Sequence, residues 1–200
     1  AEMRQSRRGQ VDPFIVMDVM ESARRAEAAG RHIIHMEVGQ PATPAPKGAR
    51  EVLARTLEQP LGYTVALGLP ALRQGIAALY QRWYGIELDP ARVVVTPGSS
   101  GAFILAFSAL FDAGDRVALG EPGYPSYRQI LRAMSLDPVG IPTRIEDRYQ
   151  PRPEDLPGDV QGLILASPGN PSGTVLRRDE LAALTSRAAA LGISVISDEI

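Results

Sequence analysis

Four short stretches of this 200-residue chain hold side chains that could bind or react. Pro97-Gly98-Ser99-Ser100-Gly101-Ala102 sets small and hydroxyl residues ahead of an apolar run. At a helix N-terminus such a stretch offers backbone N–H groups, a positive dipole end and two hydroxyls, which together suit a phosphate. An ordinary serine-capped helix start reads the same way. The stretch is neither GxGxxG nor GxxxxGK[ST], so it carries no nicotinamide or P-loop signature. Pro122-Gly123-Tyr124-Pro125 holds a tyrosine between prolines. That flat face, on a restricted backbone, either stacks on a planar ring or plugs a sheet edge. Ser167-Pro168-Gly169-Asn170-Pro171-Ser172-Gly173-Thr174 is dense in turn residues, and its Asn170-Pro171 bond is a candidate cis peptide. The Asn170 amide both donates and accepts, at a ligand or as a turn cap. Asp198 ends an apolar stretch. A carboxylate there needs a cation or several donors, unless it caps a helix or faces solvent. Taken together the four suit a phosphorylated, planar, protonatable ring.

Composition narrows the chemistry. There is no cysteine, so disulfides, thiolate metal sites and cysteine nucleophiles are excluded. His32 and His35 are the two histidines, too few for a His-rich zinc site. Lys47 is the one lysine among 21 Lys+Arg, so any covalent lysine chemistry in this chain must use it. The net charge of −2 argues against nucleic acid or an acidic membrane as partner. The most apolar run, Ala102 to Phe111, is far short of the roughly 20 residues of a membrane span. Asp12, Asp18 and Glu21 interrupt any signal-peptide pattern, so a cytoplasmic protein is expected.

The elements that must position these residues alternate. Asp12-Pro13 reads as a helix start, with Val16, Val19, Met20 and Ala23 at helical spacing and Gly30 as the stop. His32–Val38 reads as a strand, Gly48–Glu58 as a helix, and Pro70 opens another bearing Leu72, Ile76, Leu79, Tyr80 and Trp83. From Arg92 onward strands are expected at Val93–Thr96, Arg116–Leu119, Pro138–Ile141, Gly162–Ala166 and Ile193–Ser197. Helices are expected between them at Ser99–Phe111, Tyr124–Met134 and Asp179–Leu191. The strands show little polar alternation, as parallel strands buried on both faces do, and Ala102–Phe111 is apolar enough to be buried all round. The fold class is α/β, a mostly parallel sheet flanked by helices. Arg144–Gly158 reads as a surface connection. Residues 1–45 read as an N-terminal arm or smaller-lobe segment, and 46–200 as part of the larger domain. In open parallel sheets ligands bind beyond the carboxyl ends of the strands, where all four stretches fall.

From about Asp12 to the end, the chain resembles the class I/II aminotransferases of the fold-type-I pyridoxal-phosphate group. Val38-Gly39-Gln40-Pro41 resembles the family's glycine loop, and Tyr63-Thr64 with Gly68-Leu69-Pro70-Ala71-Leu72-Arg73 its Y-T…G-x-x-x-L-R stretch. Val94 to Ala102 resembles its phosphate turn, Pro122-Gly123-Tyr124-Pro125 its ring-stacking motif and Ser167–Thr174 its P-x-N-P-[ST]-G signature. Ser197-Asp198-Glu199-Ile200 resembles its D-E-[IV]-Y motif. The resemblance implies that Gly98, Ser99 and Ser100 hold the phosphate of pyridoxal 5′-phosphate. Tyr124 then stacks on the pyridine, and Asn170 bonds the ring O3′ and helps orient the substrate carboxylate. Asp198 pairs with the protonated ring nitrogen. Gly39 lies by the substrate carboxylate, and Tyr63 reaches the phosphate of the neighbouring subunit in a homodimer. An adjacent carboxylate favours a cation by about 4 kcal/mol at about 4 Å and an effective dielectric near 20, which suits the Asp198 role.

One departure stands out. The family's Schiff-base lysine follows the Asp motif, whereas Lys47 precedes it in a Pro-rich loop and reads as a surface residue. The family's substrate-binding arginines and a tyrosine expected right after Ile200 also come later. The chain therefore reads as the N-terminal half of an aminotransferase, unable to transaminate by itself. Aminotransfer between an amino acid and a 2-oxo acid is the leading activity. A carbon–sulfur β-lyase, an aminocyclopropane-carboxylate-synthase-like enzyme and a non-catalytic aminotransferase-like domain share the same upstream residues.

Overall fold

The computed structural model describes residues 3–60 and 62–200. It divides into two compact units, one of residues 98–200 with those up to Phe14, the other of residues 15–97. The second unit holds α1 (Ile15–Ala28), α2 (Lys47–Thr56) and α3 (Pro70–Tyr84). The first holds α4 (Gly98–Leu110), β1 (Arg116–Glu121), α5 (Pro125–Ala133), β2 (Asp137–Pro142), β3 (Gly162–Ala166), α6 (Arg178–Ala190) and β4 (Ser194–Asp198).

In the first unit four parallel strands lie in the order β2-β1-β3-β4. Alternation along the strands sends side chains to two cores. Val117, Leu119 and Ile164 pack with Phe103, Phe107, Tyr127 and Leu131 of α4 and α5. Ala118, Leu163 and Leu165 pack with Leu184 and Ala188 of α6. The expected α/β sheet with helices on both faces is therefore present.

Phe111 covers the start of β3. A Cβ added to Gly162 would stand 2.3 Å from the Phe111 Cζ, so this glycine makes room for the ring. Gly162→Ala should displace Phe111 and lower stability by about 1–3 kcal/mol, the ordinary cost of overpacking. A denaturant midpoint equal to wild type would contradict this reading.

Several expectations fail. Val93–Thr96 and His32–Val38 form no strand. A strand needs a neighbouring ladder, and no described strand pairs with either segment; Val95 N–H donates to the Leu67 carbonyl at 3.0 Å instead. Helix α1 begins at Ile15, and the Asp12 carboxylate accepts from Arg132 at 2.8 Å. Gly30 does end that region, at φ +81°. Helix α4 buries Phe103 and Phe107 but leaves Ile104 and Leu105 about half exposed, at 49% and 56%. Strand β4 is at the sheet edge and only half-buried. Conversely, the Arg144–Gly158 connection is no mere surface loop: Gln150, Pro151 and Leu156 are buried.

In the second unit His35 sits between two carboxylates, Glu37 at 2.7 Å and Glu27 at 2.9 Å. The hydrogen bond to Glu37, then that to Glu27, pushes its pKa up to about 9. A raised folded-state pKa means that this clamp contributes stability below about pH 6.5 and loses it as pH rises through about 9. An NMR titration of the His35 ring should show a midpoint well above 6.5, lowered by Glu37→Gln and by salt. An unshifted midpoint would contradict the clamp.

Candidate functional site

Parallel pairing puts the carboxyl ends of all four strands at one edge. Three of the four stretches follow directly from them: Tyr124 after β1, Asn170 after β3, and Asp198 as the last residue of β4. The fourth arrives on α4. Phe111, just past its end, lies over Gly162 at the start of β3, and Phe103 within it meets Tyr127 with ring centroids 5.2 Å apart. The Tyr127 hydroxyl in turn reaches Asp198, at the end of β4. Helix α4 thus runs antiparallel to the strands. Its first turn, Gly98, Ser99 and Ser100, stands at the carboxyl edge, exposed.

Tyr124 immediately precedes Pro125, the first residue of α5, and is half-buried. Its ring meets Phe14 edge-on at 5.9 Å and Tyr127 edge-on at 5.4 Å. Edge-on neighbours fix the ring's tilt without covering it as a stacked ring would.

The Asn170 loop is knitted to the sheet. Gly169 N–H donates to the Thr174 carbonyl at 2.8 Å, and Ser167 N–H to the Asp198 carbonyl at 3.1 Å. The Ser167 hydroxyl accepts from Leu176 N–H at 3.0 Å. The Asn170-Pro171 bond is cis, as are Ser167-Pro168 and Glu121-Pro122. Asn170 itself is exposed at the loop's tip. Gln150 braces the loop from below: its Nε2 donates to the Ala166 carbonyl at 3.2 Å and the Thr174 carbonyl at 3.0 Å.

Asp198 is half-buried, and its Oδ2 accepts from the Tyr127 hydroxyl at 2.5 Å. Burial first, then that hydrogen bond, drives the Tyr127 phenol far above its ordinary pKa. It is therefore a protonated donor throughout the physiological range. The edge is bipolar: the positive end of a helix dipole lies on α4, and a carboxylate ends β4. A small cleft between the β1 and β3 ends is lined by Gly120, Gly123, Tyr127, Gln150 and Asn170. An anion at Gly98–Ser100, a planar ring against Tyr124, a polar substituent near Asn170 and a cation at Asp198 suit this donor set.

Gly39 and Tyr63 belong to the 15–97 unit, and both are exposed. Tyr63 has a relative exposure of 109%, so its ring is not packed within its own unit. Lys47 heads α2, 84% exposed, with its Nζ 3.7 Å from Glu51. Sequence reasoning missed Tyr127 and Gln150. Tyr127 carried a local signal, since it follows Tyr124 by three residues at a helix start and must share its face. Gln150 carried none.

The chain is similar to known proteins along nearly its whole length. The family model for aminotransferase class I and II matches residues 31–200. Valine–pyruvate aminotransferase of Mycobacterium tuberculosis is 46% identical over 197 residues, covering 96% of this chain and 51% of that protein. The crystal structure of an aminotransferase from M. tuberculosis superposes with a TM-score of 0.94 at 45% identity, covering 100% of this chain and 52% of that one. Aspartate aminotransferase from Thermus thermophilus with maleate gives 0.92 at 29% identity, covering 100% and 54%. The chain spans about half the length of the curated relatives it matches.

Proposed function

Since this chain belongs to the class I and II aminotransferases, we propose that the full-length protein is a pyridoxal-phosphate-dependent aminotransferase. It moves an amino group between an amino acid and a 2-oxo acid, as a cytoplasmic homodimer. The observation that carries the reading is the convergence of Gly98–Ser100, Tyr124, Asn170 and Asp198 on one sheet edge.

When bound, the cofactor supplies an electron sink for the substrate's Cα–H bond. The chain's own residues bind and orient it. The first turn of α4 holds the phosphate through N–H groups and the Ser99 and Ser100 hydroxyls. Tyr124 gives the ring a flat support. Asn170, on its braced loop, donates to the ring hydroxyl and helps to orient the substrate carboxylate, which Gly39 also serves. Asp198 keeps the ring nitrogen protonated. Tyr63 serves the partner subunit's phosphate. Lys47 has no part in this, and the covalent lysine belongs to the remainder of the protein.

The test is a half-reaction. Full-length protein loaded with pyridoxal phosphate is mixed with an amino acid alone, valine first because a relative carries that name. Conversion of the cofactor's absorption to that of pyridoxamine phosphate, with release of the matching 2-oxo acid, is expected. Ammonia and an eliminated fragment in place of the 2-oxo acid would point to the lyase chemistry instead. No spectral change with any amino acid would overturn the reading.

A further inference from the structure

We propose that Tyr127 is the positioning residue of this site: its phenol fixes the Asp198 carboxylate in one orientation and biases the shared proton toward the cofactor's ring nitrogen. The proposal rests on the cofactor reading above.

Tyr127 stands in the first turn of α5 and is 3% exposed. Its ring is held edge-on by Phe103 at 5.2 Å and Tyr124 at 5.4 Å. Those contacts aim the hydroxyl, which lies 2.5 Å from Asp198 Oδ2, within the range of a charge-assisted bond to a carboxylate. A protonated phenol facing a carboxylate can only donate. A carboxylate has two oxygens. The phenol engages Oδ2 and leaves Oδ1 for a second partner.

The chemical consequence follows from where the proton rests. A donor on one oxygen stabilises the charged carboxylate and makes its other oxygen a poorer proton acceptor. In a pair between ring N–H and Oδ1, the Tyr127 bond therefore keeps the proton on nitrogen. The same ring abuts Tyr124, so one side chain sets both the acid and the stacking face.

The test compares two variants of the full-length protein, loaded with pyridoxal phosphate carrying ¹⁵N at the ring nitrogen. Tyr127→Phe removes one oxygen and retains the ring. Its ring-nitrogen resonance should move downfield toward unprotonated pyridine, and kcat should fall about ten-fold or more, with a smaller change in KM. Phe103→Leu loosens the same ring without removing the donor; it should lower stability and move the ¹⁵N resonance much less than Tyr127→Phe does. An unmoved resonance in Tyr127→Phe, or an equal shift in Phe103→Leu, would overturn the proposal. A second arm needs no cofactor. In the cofactor-free protein the Tyr127 hydroxyl proton should be downfield and slow to exchange, and Asp198→Asn should move it upfield. Absence of that proton, or its indifference to Asp198→Asn, would also overturn the proposal. Failure of the protein to take up pyridoxal phosphate would instead overturn the parent reading, while the hydroxyl proton still decides the Tyr127–Asp198 bond.

Discussion

Asp198→Asn in the full-length protein should keep its cofactor and lose up to about three decades of turnover. The substitution preserves volume, deletes one charge and replaces one acceptor oxygen by an N–H donor. On the proposed reading, phosphate binding by Gly98–Ser100, ring support by Tyr124 and the Asn170 contact are untouched, and what disappears is the counter-ion of the ring nitrogen. A unit charge at about 4 Å and an effective dielectric near 20 contributes about 4 kcal/mol. Every 1.4 kcal/mol is about tenfold, which sets the three decades. Asp198 is only half-buried, so solvent screening makes that figure an upper bound. The measurement is single-turnover kinetics beside a cofactor titration. Wild-type turnover in the variant would show that Asp198 is not the partner of the ring nitrogen.

Tyr63→Phe should weaken cofactor affinity by about one to two decades, and should do so in the partner's site. A phenol hydrogen bond to a charged acceptor contributes about 1.5–3 kcal/mol, the source of that range. Tyr63 follows Gly62 and is fully exposed, as a side chain reserved for another subunit would be. A mixed dimer separates trans from cis. One subunit carries Tyr63→Phe with an intact Schiff-base lysine; its partner carries Tyr63 and lacks the lysine. Acting in trans, Tyr63 leaves the lysine-bearing site wild type, and each mixed dimer has one site of full affinity. Acting in cis, it leaves every lysine-bearing site as weak as in the Tyr63→Phe homodimer. The second result would refute a shared site.

The sheet was legible because its central strands say so locally. Gly162-Leu163-Ile164-Leu165-Ala166 is apolar without alternation, and it is β3 to the residue. The turn residues after β1 and β3, and Asp198 closing β4, marked the carboxyl edge for the same reason. What sequence could not supply was neighbourhood. Val93–Thr96 has the composition of a strand but no described ladder beside it, so it forms none. Leu105 has the composition of a core residue, but whether it is covered depends on what packs outside α4; it is 56% exposed. The Tyr127–Asp198 bond joins residues 71 apart. No periodicity reports such a pair, although Tyr124 and Tyr127 at three-residue spacing identify half of it. Gln150 sat in a stretch read as surface, and only the fold shows that it braces the Asn170 loop.

The central claim is that four separate stretches make one cofactor site, and a crystal structure of the full-length protein with pyridoxal phosphate tests it most directly. The phosphate should rest on the first turn of α4 at Gly98–Ser100, the ring against Tyr124, and the ring nitrogen within hydrogen-bonding reach of Asp198. A phosphate seated away from Gly98–Ser100, or a ring whose nitrogen faces a group other than Asp198, would contradict the account.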